Sequence, residues 1–469
     1  ITDKKLKTVT HPGGYPMKPV RFEISETDEV LVSHSGLAFV GAVLGNTELK
    51  KEIKQIRVPG RPRPEISHYD CILAMTALLC LAKTDFDDIE AYREDDFFVR
   101  GLGLRAVPSS GTLRQRLNDL GMIEDCGHIV RRENAYFVNQ HAPIITSCYE
   151  DWVPLDIDVS PFDNSGTQKE GVSCTYKKVD GYAPIFAYLG LEGYMVNCEL
   201  RQGSQHSQQG TPEFLRQTLD LARRITNRKL LVRTDAAHDD IENLKICKKQ
   251  KVDYIIKRNL RKESIDEWLS DAECFGQSTE PRDGKEVLIG ETHRERDGEL
   301  YRVVFKVTKR TSSPDGQLLL MPDVEVETYW TSLKVTPEDV IKMYHQHGTS
   351  EQFHSEVKTD MDLERLPSGK FATNALVLLL GMLAYNLLRI IGQSSLVENR
   401  MLPPGRRAPV RKKIKRRRLK NVIQDLMYMA SRLTRHARRW GLSFWHGQRW
   451  MPVWQKVYER ILYVAAPAG

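Results

Sequence analysis

Closely spaced cysteines are missing from this sequence of 469 residues. Its eight cysteines are scattered and no two of them form a C-x-x-C motif, so neither a zinc ribbon nor a disulfide framework is expected. Scattered thiols are typical of a reducing compartment. The opening residues, ITDKKLKTVT, do not resemble a signal peptide. We therefore expect a cytoplasmic protein.

An apolar run long enough to cross a membrane is also missing. The longest run, ALVLLLGMLAYNLLRII, covers residues 375–391 and contains Tyr385, Asn386 and Arg389. A membrane-spanning helix needs ~20 predominantly apolar residues. We therefore predict that this segment is a buried helix and that the protein has no membrane partner.

Positive charge is concentrated in one place. The formal net charge is +7, but residues 406–420 (RRAPVRKKIKRRRLK) contain ten basic residues and no acid. Such a block is usually a solvated tail, whereas a surface for phosphate or membrane head groups is the alternative interpretation. The sequence after it contains four of the seven tryptophans, which we interpret as a dimerisation core.

The residue patterns divide the chain into five regions. Residues 1–150 show helical spacing of apolar residues, and residues 151–259 follow the order β-β-β-α-β-α-β. Residues 260–335 alternate with period two between RDG and SPDG turns, which predicts an antiparallel insertion. Residues 336–395 and 396–469 are predicted to be helical. The fold class is therefore α/β.

A short helix in the first region, VPSSGTLRQRLNDLGM, is predicted to start near Ser109. Arg114 and Arg116 would project from its first two turns, as in helices that contact a DNA groove or a phosphate. An amphipathic helix inside a helical domain explains the same pattern equally well.

Three acids occupy positions suited to metal-dependent phosphodiester chemistry. Asp158 lies on the first strand of the α/β region (PLDIDVS), Asp235 ends a later strand (KLLVRTDA), and Glu351 lies in a helix after the insertion. Two Mg²⁺ ions need a cluster of hard oxygen ligands. A single acid of this kind is more typical of a helix cap or loop, so the hypothesis depends on all three. Asp156 shares the strand face of Asp158, and geometry does not choose between them.

The helix with Glu351 also contains histidines, in the stretch MYHQHGTSEQFHSEVK. Four side chains at i, i+4, i+7 and i+11 share one face of it. They are His347, Glu351, His354 and Lys358. The H-E-x-x-H motif of zinc proteases is absent from this stretch, and His345 would point about 200° away from His347. A local zinc site is therefore disfavoured, and a solvated helix face is an alternative.

Tyr344, His347, Glu351 and Lys358 resemble a known signature. Their spacing is that of the Tyr-x2-Arg-x3-Glu-x6-Lys motif in DDE transposases of bacterial insertion sequences, with His347 in place of the arginine. The segment RLPSGKFATNALVLLLGMLAYNLLR is similar to the sequence after the glutamate in one branch of that family. The resemblance is clear over residues 150–392.

The two aspartates also have a context similar to this family. LDIDVS and VRTDAAH resemble the strands that carry its catalytic aspartates, which selects Asp235 and favours Asp158 over Asp156. The resemblance implies an RNase H-like mixed-sheet catalytic core with an antiparallel β insertion, flanked by helical N- and C-terminal regions. The core would consist of residues 151–259 and 336–395.

The resemblance implies a transposase that binds the terminal inverted repeats of its mobile element. It would cleave at the ends by two-metal-ion hydrolysis and join the 3′-OH ends to target DNA. Asp158, Asp235 and Glu351 would be catalytic and would bind two Mg²⁺ ions, for which Mn²⁺ would substitute. Residues 1–150 would recognise the ends, and residues 396–469 would contact DNA or form a homodimer in a synaptic complex. Such a protein would be associated with the bacterial nucleoid.

Ten further residues are predicted to contact DNA, from the signature, the first region, the insertion and the basic block. They are Tyr344, His347, Lys358, Arg114, Arg116, Trp330, Lys412, Lys413, Arg416 and Arg417. His347 lacks the guanidinium fork of an arginine. Trp330 would stack on a flipped base, although core packing is the more common role of a strand tryptophan. A catalytically silent DNA-binding repressor or architectural protein and a structure-selective nuclease are the alternative functions.

Overall fold

The computed structural model of the protein describes residues 21–60, 64–313, 315–398 and 415–465. The N-terminal part is a short strand followed by helices, with a 3₁₀ turn at Phe86–Tyr92. The elements are β1 (Leu31–Val32), α1 (Leu37–Leu44), α2 (Leu49–Ile53), α3 (His68–Cys80), α4 (Asp96–Leu102), α5 (Ser110–Gly121) and α6 (Glu124–His141). The side chains of Ser67 and Ser109 accept backbone N–H bonds at the starts of α3 and α5, and the start of α5 agrees with the prediction near Ser109.

The central α/β part begins at residue 153; its core elements follow the predicted order β-β-β-α-β-α-β, and three short strands that the sequence did not predict come after the first of them. Its elements are β2 (Val153–Val159), β3 (Phe162–Asp163), β4 (Ser173–Cys174), β5 (Asp180–Tyr182), β6 (Ile185–Leu189), β7 (Tyr194–Glu199), α7 (Thr211–Ile225), β8 (Leu230–Thr234), α8 (Ile241–Gln250) and β9 (Asp253–Lys257). The core strands have the order β7-β6-β2-β8-β9, while β3, β5 and β4 form a small separate sheet. Because β2 is antiparallel to β6 and parallel to β8, this is the RNase H-like arrangement.

The predicted antiparallel insertion is present and extends the core sheet. It consists of α9 (Ile265–Phe275), β10 (Gln277–Arg282), β11 (Lys285–Arg296), β12 (Glu299–Ser312) and β13 (Leu318–Thr331). The last three residues of β13 pair with β9, so the insertion and the core share one nine-stranded sheet. One continuous sheet therefore holds the insertion in a fixed orientation next to the core.

The helix predicted around Glu351 changes pitch twice. It consists of α10 (Pro337–His345), a 3₁₀ turn at Gln346–Thr349, α11 (Ser350–Ser355) and a π turn at Glu356–Asp360. The side chain of Thr336 accepts a backbone N–H bond from Asp339 and caps the start of α10. Gly348 lies in the 3₁₀ turn and a Cβ there would meet no atom within 4 Å, so this glycine marks a break and not a close contact.

The long apolar run forms the central helix of the core, α12 (Phe371–Glu398). Its length and composition would allow it to cross a membrane, but 94% of its most apolar window is buried inside the protein. It packs against α3, α5, α6 and β7. The prediction of a buried helix for this segment is confirmed.

The C-terminal region contains a hairpin that the helical prediction did not include. Its elements are α13 (Leu419–Val422), a π turn at Ile423–Met427, β14 (Ser431–His436), β15 (Arg439–Phe444) and α14 (Met451–Ala465). β14 pairs with β1 and α14 packs on α1, so both ends of the described chain meet. The hairpin was missed because its tip, Ala437–Arg438, contains none of the Gly, Asn or Asp residues that signal such a turn.

Candidate active site

Asp156 and Asp158 lie on the same face of β2, but they have different surroundings. Asp156 is 2% exposed, and its two oxygens accept hydrogen bonds from Nε (2.6 Å) and Nη2 (2.7 Å) of Arg233. His347 Nδ1 lies 2.9 Å from the same carboxylate. Burial raises the pKa of Asp156, but the charges of Arg233 and His347 outweigh it and hold the pKa below its usual range. Asp156 is therefore committed to a buried salt bridge.

Asp158 faces a cleft that it shares with Asp235. The cleft has a volume of about 520 Å³ and is also lined by Tyr176, His206 and His238. Ile157 of β2 and Thr234 of β8 are partners in the parallel ladder, so the two aspartates follow at the same edge of the sheet. The arrangement arises because the carboxyl ends of parallel neighbouring strands lie side by side. The structure thus brings together two of the three predicted catalytic acids.

Each of these aspartates contacts a buried histidine. Nδ1 of His238 lies 2.8 Å from Oδ1 of Asp235, and Nε2 of His354 lies 3.3 Å from Oδ2 of Asp158. The second contact is an ion-pair distance without hydrogen-bond alignment, since Nε2 of His354 has no hydrogen-bond partner among the described residues. Burial raises the pKa of Asp158, but the neighbouring His354 outweighs it and the pKa is lowered.

The sequence analysis assigned no role to either histidine, although each lies three residues after a predicted catalytic acid. His238 follows Asp235 by three residues, and His354 follows Glu351 by three residues on the same helical face. A carboxylate at the start of a helical turn commonly has its partner at this spacing. The three-dimensional structure was needed to show which carboxylate each imidazole meets.

Glu351 is exposed on α11, between the two histidines that contact β2. His347 lies four residues before it and contacts Asp156, and His354 lies three residues after it and contacts Asp158. Glu351 thus lies near both contacts in the sequence, but it does not line the cleft that Asp158 and Asp235 share. In the described parts of the chain, no hydrogen bond or ion pair involves its carboxylate.

The donor set for divalent ions is present in part. Carboxylate oxygens are the ligands that Mg²⁺ prefers, and Asp158 and Asp235 offer them across one cleft. Among the residues that the structure describes, no three histidine, cysteine, aspartate or glutamate side chains are close enough together to form a complete metal site. Glu351 would have to turn toward the two aspartates to complete the predicted set.

The residues of the signature that are predicted to contact DNA are buried or half-buried in this structure. Tyr344 packs against Tyr329 and His347, at ring-centroid distances of 4.6 and 5.7 Å, and both Tyr344 and His347 are buried. His347 bonds Asp156, so it stabilises the fold at the position where the resembling family has an arginine. Lys358 is half-buried, and its Nζ donates to the carbonyl oxygen of Pro161, which ties down its charged end.

Trp330, which is predicted to stack on a base, is packed inside the protein in this structure. Trp330 is 3% exposed and its Nε1 donates a hydrogen bond of 2.9 Å to Oδ1 of Asp239. The guanidinium groups of Arg258 and Arg296 lie 4.4 and 5.7 Å from its ring centroid. Both its face and its polar edge are occupied, so core packing, the alternative interpretation, describes this tryptophan.

The two arginines of α5 differ in their availability. Arg114 is about half exposed and lies 3.6 Å from Asp87, a distance that gives a weak surface ion pair. Arg116 is largely buried and lies 3.6 Å from Asp119. Of the two predicted contacts, Arg114 is the one that a ligand could reach in this structure.

Within the basic block, Lys412 and Lys413 lie outside the described residues. The remaining two residues that are predicted to contact DNA, Arg416 and Arg417, have partners inside the protein in this structure. Arg416 pairs with Glu356 and donates 2.9 Å to Gln352, and Arg417 pairs with Asp425. The start of the C-terminal region is therefore fastened to the helical segment of Glu351.

The chain was compared with known proteins. The family model described as "Transposase DDE domain group 1" matches residues 17–465. A cryo-EM structure of a piggyBac transposase synaptic complex with hairpin DNA is similar at 13% sequence identity and a TM-score of 0.40, covering 93% of this chain and 83% of that chain. No match to this chain was found among curated proteins.

Proposed function

The chain belongs to the family of transposases with a DDE domain of group 1, and on that premise we propose that it is an active cut-and-paste DNA transposase. It binds the terminal inverted repeats of a bacterial mobile element, cleaves at the ends of the element and joins the 3′-OH ends to target DNA. The observation that carries this proposal is the pair Asp158 and Asp235, which lines one open cleft at the ends of two adjacent parallel strands.

Different side chains of this protein have different roles in such a reaction. Asp158, Asp235 and Glu351 would hold the divalent ions on which DDE transposases depend; Mg²⁺, with Mn²⁺ as a substitute, is the proposed ion. When bound, these ions activate water and neutralise charge at the scissile phosphate. His238 and His354 hold the two aspartate side chains in their orientation before the ions enter. The open cleft admits a DNA strand to both carboxylates.

We also propose that the protein acts as a homodimer in a synaptic complex and works in the bacterial cytoplasm. Two ends of an element must be cut and joined together, which requires two active sites near each other. All eight cysteines are free thiols, which agrees with a reducing compartment.

The proposal is tested with purified full-length protein and duplex DNA that carries the inverted repeats flanking its gene. Nicking at the repeat ends, and joining of precut 3′-OH ends to a plasmid, should occur with Mg²⁺ or Mn²⁺ and stop with EDTA. Asp158→Asn, Asp235→Asn and Glu351→Gln should each lower nicking about a thousandfold or more, because each removes a charged oxygen ligand. Asp220→Asn, an exposed acid on α7, is the matched control and should nick normally.

Two outcomes would contradict parts of the proposal. Normal nicking by Glu351→Gln would remove Glu351 from the site. Specific binding to the repeats without nicking in either metal would favour the second candidate, a catalytically silent DNA-binding protein. The observation that keeps this candidate open is that no three potential metal ligands are grouped together among the described residues.

A further inference from the structure

The C-terminal hairpin, defined as β14, β15 and their connecting residues, is an unusually basic surface. Its sequence, SRLTRHARRWGLSF, contains four arginines and a histidine. No aspartate or glutamate occurs anywhere from residue 426 to residue 458. A cluster of one sign without interspersed opposite charges is the electrostatic pattern expected for contact with a polyanion.

The two faces of the hairpin have different partners. Leu433 pairs with Leu442 on the inner face, and both pack on the hydrophobic core together with Phe444, whose ring lies 4.9 Å from that of Trp454. The outer face, on the opposite side of both strands, is largely exposed. It consists of Arg432, Thr434, His436, Arg439, Gly441 and Ser443. Small side chains in its middle and cationic ones around them leave room for a phosphate backbone to approach.

The charges of the hairpin are mostly uncompensated. Arg432 pairs with Glu29 at 2.6 Å. Across the described ranges no carboxylate pairs with Arg435, Arg438 or Arg439. Arginines that face water without acids repel one another, so their grouping suggests a ligand and not a contribution to folding.

An exposed aromatic ring lies on the inner side of the hairpin, because Trp440 pairs with Arg435 two residues from the Leu433–Leu442 pair on each strand. Trp440 is 43% exposed, and the guanidinium groups of Arg100 and Arg435 lie 4.0 and 5.3 Å from its ring centroid. This ring is therefore not part of the outer face.

The tip of the hairpin is held in a conformation that its residues disfavour. Ala437 and Arg438 have φ angles of 47° and 69°. Positive φ at both central residues is the requirement of a type I′ turn, which favours Asn-Gly because a side chain with Cβ is strained there. A strained tip that carries an arginine indicates a role for that arginine other than stability.

We infer that the outer face and tip of the C-terminal hairpin form a binding site for duplex DNA. A two-stranded β-ribbon fits the major groove, which is about 12 Å wide. Arg438 and Arg439 would contact phosphates at the groove edges, while Thr434, Gly441 and Ser443 allow close approach. The inference rests on the proposed function, because that function supplies DNA as the substrate. It assigns the contact to a surface separate from the acids of the cleft.

The test is fluorescence anisotropy of the full-length protein with a labelled duplex carrying the inverted repeat, over a range of salt concentrations. The double variant Arg438→Ala/Arg439→Ala should bind about tenfold more weakly or worse, and its slope of log K against log salt should be smaller by about two, one for each lost phosphate contact. The charge-matched control is Lys249→Ala/Lys262→Ala, two exposed lysines near α8 and β9. The control should bind within about twofold of the wild type.

A second variant tests whether weaker DNA binding is due to the lost positive charge or to a destabilised hairpin. Ala437→Asn/Arg438→Gly introduces the residues that a type I′ turn prefers, so the hairpin should become more stable while it loses one arginine. We expect its thermal midpoint to rise or stay unchanged and its affinity for the duplex to fall. Unchanged affinity in both hairpin variants would overturn the inference, as would wild-type protein that does not bind the duplex.

The outcomes for the inference and for the proposed function are distinguishable. Wild-type protein that binds through the hairpin but never nicks would contradict the proposed function and support the inference. Protein that nicks normally while both hairpin variants bind and nick like the wild type would support the proposed function and overturn the inference. Hairpin-dependent binding to phosphatidylserine vesicles that exceeds binding to the duplex would assign the surface to membranes and also overturn it.

Discussion

Two sets of acids lie close together around the end of β2 and the helical segment beside it, and their partners differ. One set is paired with arginines: Asp156 with Arg233, Glu356 with Arg389 and Arg416, and Asp360 with Arg418. The other set is Asp158, Asp235 and Glu351. In the part of the chain that the structure describes, none of these three forms an ion pair with an arginine or lysine.

The difference indicates which carboxylates are available to a cation from outside. A buried carboxylate is tolerated when salt bridges and hydrogen bonds replace its lost hydration, and each member of the arginine-paired set has them. In the cleft set, Asp158 and Asp235 each have one histidine contact and accept one backbone N–H bond, from Val159 and Ala237, so their oxygens keep free lone pairs. Histidine can orient a carboxylate without occupying it as a guanidinium fork does.

The largest loss of stability is expected when an arginine is removed from the arginine-paired set. Arg233→Ala leaves the 2%-exposed Asp156 without its main partner, so the free energy of unfolding should fall by about 3–5 kcal/mol. Asp158→Ala, two residues further along the strand, should change it by less than about 1 kcal/mol. Urea denaturation followed by circular dichroism measures both. Equal losses in the two variants would show that the two sets do not differ.

A smaller effect is expected for a matched pair on one helical segment. Glu356→Gln weakens the bonds to Arg389 and Arg416 and should cost about 2–3 kcal/mol, because glutamine keeps some hydrogen bonds but not the charge. Glu351→Gln is the same substitution five residues earlier and should stay within about 0.5 kcal/mol. The same denaturation series compares them, and the distinction fails if Glu351→Gln is the more damaging change.

The histidine contacts can be examined through metal dependence. His238→Ala removes the partner that holds Asp235, so the Mg²⁺ concentration for half-maximal nicking should rise about 10- to 100-fold. Only a role in orienting the carboxylate predicts a change in metal dependence, since a purely structural role would lower the amount of folded protein at every Mg²⁺ concentration. His128→Ala, an exposed histidine on α6, serves as control. An unchanged metal requirement in His238→Ala would contradict the assigned role.

The smallest effect concerns His347. His347→Ala removes one hydrogen bond to Asp156 but leaves Arg233 in place, so the expected loss of unfolding free energy is about 1–2 kcal/mol. Affinity for duplex DNA, measured by anisotropy, should not change because the imidazole is buried. Weaker DNA binding at unchanged stability would return His347 to the DNA-contacting role that the signature implies.

Much of the fold could be predicted from local patterns. The order of strands and helices in the core, the antiparallel insertion and the buried helix α12 follow from periodicity and turn residues, which are local properties. The hairpin at β14 and β15 could not, because its turn adopts positive φ with Ala437 and Arg438 and gives no sequence signal. The union of insertion and core in one sheet depends on three residue pairs between β13 and β9.

The predicted DNA contacts also show that local patterns do not reveal contacts between distant parts of the chain. Spacing places Tyr344 and His347 in a signature, and the basic block suggests that Arg416 and Arg417 face a ligand. Each of these four side chains has an internal partner that lies far away in the sequence or on another element. The charge and spacing of a side chain indicate which ligands it could bind, whereas its burial determines whether a ligand can contact it in the folded protein.

The sequence by itself determined which acids exist, their order along the chain and the strand ends and helix that carry them. Strand geometry could not choose between Asp156 and Asp158, because residues two apart on a strand share one face, and only the family resemblance favoured Asp158. The tertiary structure gives the two aspartates different surroundings: Arg233 and His347, 77 and 191 residues away in the sequence, both bond Asp156. Asp158 is left facing the cleft with Asp235, because only folding brings distant charges close enough to neutralise one carboxylate and not its neighbour.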